Sequence, residues 1–260
     1  MDSLLKNTSY IASRSKNAGE VARILESEFK IKAFKSFQDP PKCIVVLGGD
    51  GFLIKTAKTL LQKECSIYGI NCGNFGFLMN EFDKENFLSD IENAKPYFLH
   101  HLESKIFFVN GTFRKCVSLN DIHITRCSPK IIKMEVEING KNALKKLEGD
   151  GIIVSTPAGS CAYCFSAGGP VLPIKSELIA LTAINAFRPK QFKSAILDNT
   201  SKITIKILDA KYRPAVAVAD LEEFYGVEKI EVYYNKQSYT KLLFKASKTL
   251  EEKFLLHQFS

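Results

Sequence analysis

Three clusters of residues have the types and spacing for chemistry on a phosphate-bearing ligand. The first is Gly48-Gly49-Asp50-Gly51, placed directly after the apolar run Cys43-Ile44-Val45-Val46-Leu47. Glycine lets backbone N–H groups approach a phosphate closely, and the start of a following helix favours anionic groups. Asp50 has the one side chain of that turn. A carboxylate there repels phosphate unless it holds a cation or accepts a proton. The alternative is that Asp50 only caps the helix. The second cluster is Asn71-Cys72-Gly73-Asn74-Phe75-Gly76-Phe77-Leu78. Its two Gly and two Asn suit positive φ and tight loops. The third runs from Gly149-Asp150-Gly151 through Ser155-Thr156-Pro157-Ala158-Gly159-Ser160-Cys161-Ala162-Tyr163 to Ser166 and Gly168-Gly169-Pro170. A small-residue tract of that length lets a ligand lie along backbone. Tyr163 can stack on a flat ring, and Asp150 can take a hydroxyl or amide. The alternative is a glycine-rich connection between strands, with Tyr163 in the core.

Periodicity predicts the elements that hold these clusters. Residues 10–12 read as a short strand. Ala18, Val21, Ala22, Leu25 and Phe29 recur at helical spacing after a Ser-rich start that can supply the cap. The continuous apolar run 43–47 reads as a buried parallel strand, and 52–61 as a helix with Leu53, Ala57, Leu60 and Leu61 on one side. Residues 66–70 form the next strand, which puts the second cluster beside the first in a parallel sheet. Asp83 is expected to cap a helix carrying Phe87, Leu88 and Ile91. Strands alternating with helices imply ligand sites beyond the carboxyl ends of a parallel sheet. From Pro96 onward the pattern changes to short β-rich runs at 106–109, 121–125, 131–138, 152–154, 203–208, 215–219 and 229–234. Residues 246–254 look helical again. The expected organisation is an α/β domain with a parallel sheet, residues 1–97 joined by 236–260, and a β-rich domain at 98–235.

With 45% hydrophobic and 25% charged residues in 260, the chain is neither disordered, collagenous nor coiled-coil. Its net charge of +8 suits phosphate-bearing ligands, nucleic acid or an anionic membrane surface. The Lys residues are dispersed, so a solvated surface is expected rather than a nucleic-acid site. Residues 151–174 carry no charge, but four Gly and three Pro make them a binding loop and not a membrane span. The N-terminal stretch has an early Asp and no apolar run of leader length, so a soluble cytoplasmic protein is expected. Seven Cys form no regular framework; Cys43, Cys65 and Cys72 read as core thiols of a reducing compartment. Cys161 and Cys164 have CxxC spacing without a second such pair. His100, His101, His123 and His257 lack zinc-ligand spacing, so no metal-ligating residues are expected.

In order and spacing, the three clusters resemble the NAD kinase family. That family joins a GGDG loop to an NxGxxGFL turn, an Asn-acidic pair and a GDGxxVSTPxGSxAYxxSAGGP segment. The acidic pair here is Asn120-Asp121, within Leu119-Asn120-Asp121-Ile122-His123. The resemblance runs from about residue 44 to 170. GGDG also occurs in diacylglycerol kinases, sphingosine kinases and 6-phosphofructokinases, so the third segment is the specific signal. There is no GxxxxGK[ST] loop.

The resemblance implies transfer of phosphate from ATP, with Mg²⁺ or another divalent cation, to the 2′-hydroxyl of the adenosine ribose of NAD. The products would be NADP and ADP. It implies NAD and ATP as partners, without nucleic acid or membrane, and a homodimer or homotetramer. Asp50 would be the proton acceptor, with Gly49 and Gly51 against the dinucleotide. Lys55, one helical turn on, would supply positive charge. Asn120 and Asp121 would bind near the reacting ribose. Asp150, Cys161, Ala162, Tyr163 and Ser166 would line the NAD pocket. Cys161 stands for the usual Thr, Ala158 for a hydroxyl residue, and Glu148 for an Arg. Asp220 matches a late Asp of the family, with Leu221 in place of the Gly that often follows. The stretch 181–189 departs from the commoner Pro-His pattern and offers Thr182, Ala183 and Asn185 as pocket candidates. The rival readings are a lipid kinase with a GGDG loop, and a non-catalytic NAD(H)-binding regulator. Cys161, Ala158 and Glu148 favour the regulator; Asp50 argues against it, because a sensor has no need of a base.

Overall fold

A computed structural model describes residues 7–74 and 76–259, with only the backbone at His257. The N-terminal Met-Asp, Phe75 of the second cluster and the His257 ring therefore lie outside the described residues. In chain order the first elements are β1 (Thr8–Ala12), α1 (Lys16–Ser27), β2 (Lys32–Ala33), β3 (Cys43–Gly48) and α2 (Asp50–Thr59). Next come β4 (Ser66–Asn71), α3 (Phe87–Glu92), β5 (Lys95–Phe108), β6 (Phe113–Ser118) and β7 (Asp121–Arg126). Then follow β8 (Ile132–Ile138), β9 (Lys141–Gly149), β10 (Gly151–Ser155), a 3₁₀ turn Ala158–Cys161 and α4 (Tyr163–Ser166). The last are β11 (Leu178–Ile184), β12 (Ser194–Asp198), β13 (Ile203–Leu208), β14 (Ala215–Ala219), β15 (Glu222–Tyr225), β16 (Val227–Phe244) and α5 (Leu250–His257). Among the described residues, no helix is long and apolar enough to cross a membrane.

The chain divides into two compact units. The first comprises the described residues of Met1–Leu99 and Ser238–Ser260. Its strands β2-β1-β3-β4 and the end of β16 pair in parallel in that order, and β5 also pairs with β16. All six residues of β3 are buried. That is the reason for its unbroken apolar run, and each fully buried Ile, Val or Leu contributes about 1.5–3 kcal/mol. Helix α1 is capped by Ser15, whose Oγ accepts from the Ala18 N–H at 3.3 Å, and it buries Ala18, Ala22 and Leu25. Asp83 does not cap α3. It accepts from the N–H groups of Glu85 and Asn86 in a turn ahead of the helix, whose cap position is Asn86. Helix α5 starts at Leu250, not near Ala246, because Thr249 and Glu252 form a reciprocal capping box there.

The second unit, His100–Gln237, is all-β except for the short turn and helix after β10. One antiparallel sheet has the order β12-β11-β10-β7-β14-β15. The other strands pair as β16-β13-β8-β9 and as β5-β6. Alternation along β7 buries Ile122 and Ile124 in the core with Ile152, Val154, Ala217 and Ala219. Asp121, His123 and Thr125 are thereby placed on the opposite face. Strands β6, β9 and β15 lack an apolar run because most of their exposed positions carry Lys, Arg or Glu. Charged side chains suit exposed strands, since they discourage pairing with other chains.

Candidate active site

In the first unit, β3 pairs in parallel with β4, with Gly48 opposite Asn71. The first two clusters therefore leave the sheet side by side. Gly49 occupies the cap position of α2, and no side chain caps that helix. Asp50 is thus the first helical residue and not a cap. Its carboxylate turns to the second cluster instead. The Phe77 N–H donates to Oδ2 at 2.7 Å, and the Leu78 N–H donates to Oδ1 at 2.9 Å. The same turn is held from its carbonyl side by Lys253 of α5. Nζ donates to the Gly76 and Met79 oxygens at 2.7 and 2.6 Å. Burial pushes the Asp50 carboxyl above the ordinary carboxylate range, against the two N–H bonds and the Lys253 charge. Burial pushes Lys253 below the ordinary amine range, while Asp50 pulls it back up. Lys55 is exposed on α2. The cation acting on Asp50 is Lys253, a residue whose role no local pattern signals.

The glycines act by space rather than by positive φ. A Cβ at Gly49 or Gly51 would meet nothing within 4 Å, so the backbone there is open to a ligand. At Gly76 a Cβ would lie 2.8 Å from Met79 Cγ. None of the described residues 71–78 has positive φ, contrary to the expectation from its Gly and Asn content. Asn71 shapes the loop differently, accepting from the Gly73 N–H at 3.1 Å.

In the second unit, Asn120 and Asp121 form the turn into β7, and Asp220 clamps it. Asp220 Oδ2 accepts from the Leu119 N–H at 2.8 Å, and Oδ1 accepts from the Asn120 and Asp121 N–H groups at 2.8 and 3.4 Å. The turn is also braced by the third cluster. The Thr156 hydroxyl donates to the Leu119 oxygen at 2.8 Å, and the Thr156 N–H donates to the Asn120 oxygen at 2.9 Å. A Cβ at Gly159 would sit 2.2 Å from that Asn120 oxygen. The glycine there admits the chain's own backbone, not a ligand. Asn120 Oδ1 is buried without a hydrogen-bond partner. A buried acceptor left open in this way suits a donor from a ligand.

Asp121 is buried, and its Oδ1 lies 3.0 Å from His123 Nδ1. The His123 ring meets Tyr163 edge-on, with centroids 4.9 Å apart. Tyr163 is 39% exposed, so it is not a core residue. Burial, then the Asp121 and Asp150 charges, push its hydroxyl above the usual phenol range. Asp150 accepts from Asn185 Nδ2 at 3.0 Å and from Arg126 Nε at 2.6 Å. Those partners, Asn185 first, hold its carboxyl below the usual range. The fold thus gathers Asp121, Asp150 and Tyr163 with His123, Arg126 and Asn185. The spacing of Asp121 and His123 along a strand was the signal available for His123; Arg126 had none.

Other sequence candidates fall elsewhere. Ala183 packs into the hydrophobic core with Ile122 and Val154, because strand alternation turns its side chain there. Thr182 is buried against Cys164, with Oγ1 and Sγ 3.3 Å apart. The Cys161 thiol donates to the Ala158 oxygen at 3.3 Å. Ala162 is half-buried, and Ser166 is exposed at the end of α4. Glu148 pairs with Lys146 at 2.6 Å. None of the seven cysteines is in a disulfide. Among the described residues, no three or more His, Cys, Asp or Glu side chains are grouped to hold a metal ion.

The sequence matches two family models, the ATP-NAD kinase N-terminal domain over residues 2–94 and the ATP-NAD kinase C-terminal domain over 119–246. The NAD kinase of Rickettsia prowazekii (strain Madrid E) is 35% identical over 245 residues, covering 94% of this chain and 95% of that protein. The NAD kinase of Rhizobium meliloti (strain 1021) is 36% identical over 253 residues, covering 96% of each. Among solved structures, a yeast NADH kinase in complex with NADH superposes with a TM-score of 0.82 at 20% identity, over 98% of this chain and 86% of that one. An NAD kinase from Archaeoglobus fulgidus in complex with ATP superposes with a TM-score of 0.76 at 21% identity, over 96% and 97%. Those two likenesses establish the fold. With both family models and close to full-length relatives matched, and with the GGDG carboxylate and Asn-Asp turn held in place, the chain belongs to the NAD kinase family.

Proposed function

We propose that this chain transfers the γ-phosphate of ATP to the 2′-hydroxyl of the adenosine ribose of NAD, giving NADP and ADP. The observation that carries the proposal is the Asp50 carboxylate. It is anchored on two backbone N–H groups, acted on by the charge of the partly buried Lys253 and set between two glycines with open space over them. A sugar hydroxyl is a poor nucleophile until its proton is being removed, and a positioned carboxylate can remove it. The 2′-oxygen forms a bond to the γ-phosphorus while the bond from that phosphorus to the β–γ bridging oxygen breaks. ADP leaves, and the hydroxyl proton passes to Asp50 and then to water. Mg²⁺ or another divalent cation enters with ATP as the chelated substrate and offsets its phosphate charge. Lys55, exposed on α2, is available to the same phosphates.

On this reading, Asn120, Asp121, Asp150, Ala162, Tyr163 and Ser166 hold the dinucleotide. Asp220 acts on it through the Asn120-Asp121 turn, and Cys161 contributes backbone, since its thiol already donates to Ala158. Tyr163→Ala should weaken NAD binding by about 1 kcal/mol through lost ring contact. Asp150→Ala should cost about 1–3 kcal/mol by removing a charged acceptor. Calorimetric titration with NAD measures both; unchanged affinity in the two variants would put the pocket elsewhere.

A coupled assay for NADP formation from NAD and Mg-ATP tests the activity itself. NADP should bind and inhibit as a product, yet never be phosphorylated, because its 2′ position is occupied. A doubly phosphorylated product from NADP would show the wrong regiochemistry. Binding of NAD without any NADP formation would favour the regulator. The family resemblance also supports a cytoplasmic homodimer or homotetramer, whose mass light scattering reads directly.

A further inference from the structure

We propose that Lys253, on the C-terminal helix, is a positioning residue for catalysis that fixes the turn gripping Asp50 and supplies its counter-charge. The proposal rests on Asp50 being the base. The turn 76–79 has its N–H groups at Phe77 and Leu78 on the Asp50 carboxylate and its carbonyls at Gly76 and Met79 on the Lys253 ammonium. The two charges therefore polarise the same short run of peptide groups, and each strengthens the other's hydrogen bonds.

Lys253 is held in place for this. Its neighbours Leu250 and Phe254 are buried, the capping box fixes the start of α5, and Glu251 accepts from the Tyr97 hydroxyl. The Lys253 stem also brings Nζ to 5.3 Å from the Phe244 ring centroid. The other charges acting on Lys253 are Lys248 and Glu81, which are paired with each other at 2.7 Å. Lys245 is paired with Asp90 at 2.6 Å. Lys253 is thus the cation acting on Asp50. Because burial disfavours the Asp50 carboxylate, turnover should fall as pH falls through its raised pKa. Removing the Lys253 charge raises that pKa further, so the acid limb moves to higher pH.

The test is the kcat–pH profile of the full chain in five forms: wild type, Asp50→Asn, Lys253→Gln, Lys253→Met and Lys253→Arg. Gln keeps N–H donors for the two carbonyls but no charge. The Gln variant should shift the acid limb upward by about 1 pH unit, with kcat on that limb about tenfold lower and KM for NAD within about twofold. Arg should restore the wild-type limb. Met should match Gln in pH profile and melt lower. If Met does not fold, the Gln and Arg pair decides. Titration of the ¹³C-labelled Asp50 carboxyl should show the same upward shift in the Gln variant without any substrate. An acid limb and carboxyl titration in Lys253→Gln that coincide with wild type would overturn the role of Lys253. Near-normal turnover in Asp50→Asn would instead overturn Asp50 as the base, and the proposal with it. An inactive Asp50→Asn beside an unshifted Gln variant separates the two failures.

Discussion

Asp50→Asn should lower kcat by at least about 100-fold while NAD affinity changes far less, because positioned base catalysis typically contributes about 10²–10⁴-fold, or roughly 3–5 kcal/mol of barrier. Asn keeps the size of the side chain and one acceptor for the N–H groups of Phe77 and Leu78, which lie at 2.7 and 2.9 Å in the parent. It cannot take the hydroxyl proton. Loss of the second acceptor costs stability, and removal of a buried charge offsets that cost, so the melting temperature should stay within a few degrees. Single-turnover kinetics alongside calorimetry on both proteins separates chemistry from binding. Near-normal turnover in the variant would reduce Asp50 to a loop residue. The structure already removes the blandest version of that alternative, since Gly49 and not Asp50 occupies the cap position of α2.

Asp220→Ala should destabilise the protein by about 3 kcal/mol, because two short hydrogen bonds to a charged acceptor are worth about 1.5–3 kcal/mol each and some of the loss is recovered by water. For a chain of this size that corresponds to a drop of roughly 6–12 °C in melting temperature. The lost bonds are those from the N–H groups of Leu119 and Asn120, both at 2.8 Å. The backbone at Asp220 adds to the effect, since its φ of 55° disfavours Ala more than Asp or Asn. Asp220→Asn should therefore be milder than Ala. The functional signature is a KM for NAD raised by about tenfold or more, as the Asn120-Asp121 turn loosens, with a smaller change in kcat. Scanning calorimetry and steady-state kinetics check the two halves. A stable Ala variant with an unchanged KM would mean that the clamp is idle.

These two residues were not equally legible. Asp50 stands in a four-residue motif after an apolar run, and strand, turn and helix are consecutive in the chain. Asp220 was legible as a match to a family position, but its task was not. Its partners lie about a hundred residues earlier, and an isolated Asp before Leu221 carries no sign of them. Lys253 is the stronger case, a lysine in a helix with three acidic or basic neighbours that reads like any solvated face. Arg126 was likewise invisible until Asp150 drew it in, whereas Asn185 was a pocket candidate whose partner, Asp150, only the fold identified.

The sequence by itself determined the parallel strands Cys43–Gly48 and Ser66–Asn71, the strands Ile203–Leu208 and Ala215–Ala219, and the order of the loops that carry Asp50, Asn120-Asp121 and Asp150. Each of these is written in residues within one element's length, where apolar periodicity and turn chemistry act locally. It did not determine the edge strands Phe113–Ser118, Lys141–Gly149 and Glu222–Tyr225, whose charged exposed positions conceal a strand that pairing creates. Nor did it determine which candidates share a site. Whether Ala183 faces the core or Thr182 does depends on register against β10, and the grip on Asp50 depends on a turn separated from α5 by twelve strands in chain order. Those choices were made by tertiary structure, because a side chain finds a distant backbone group only after the sheet between them has formed.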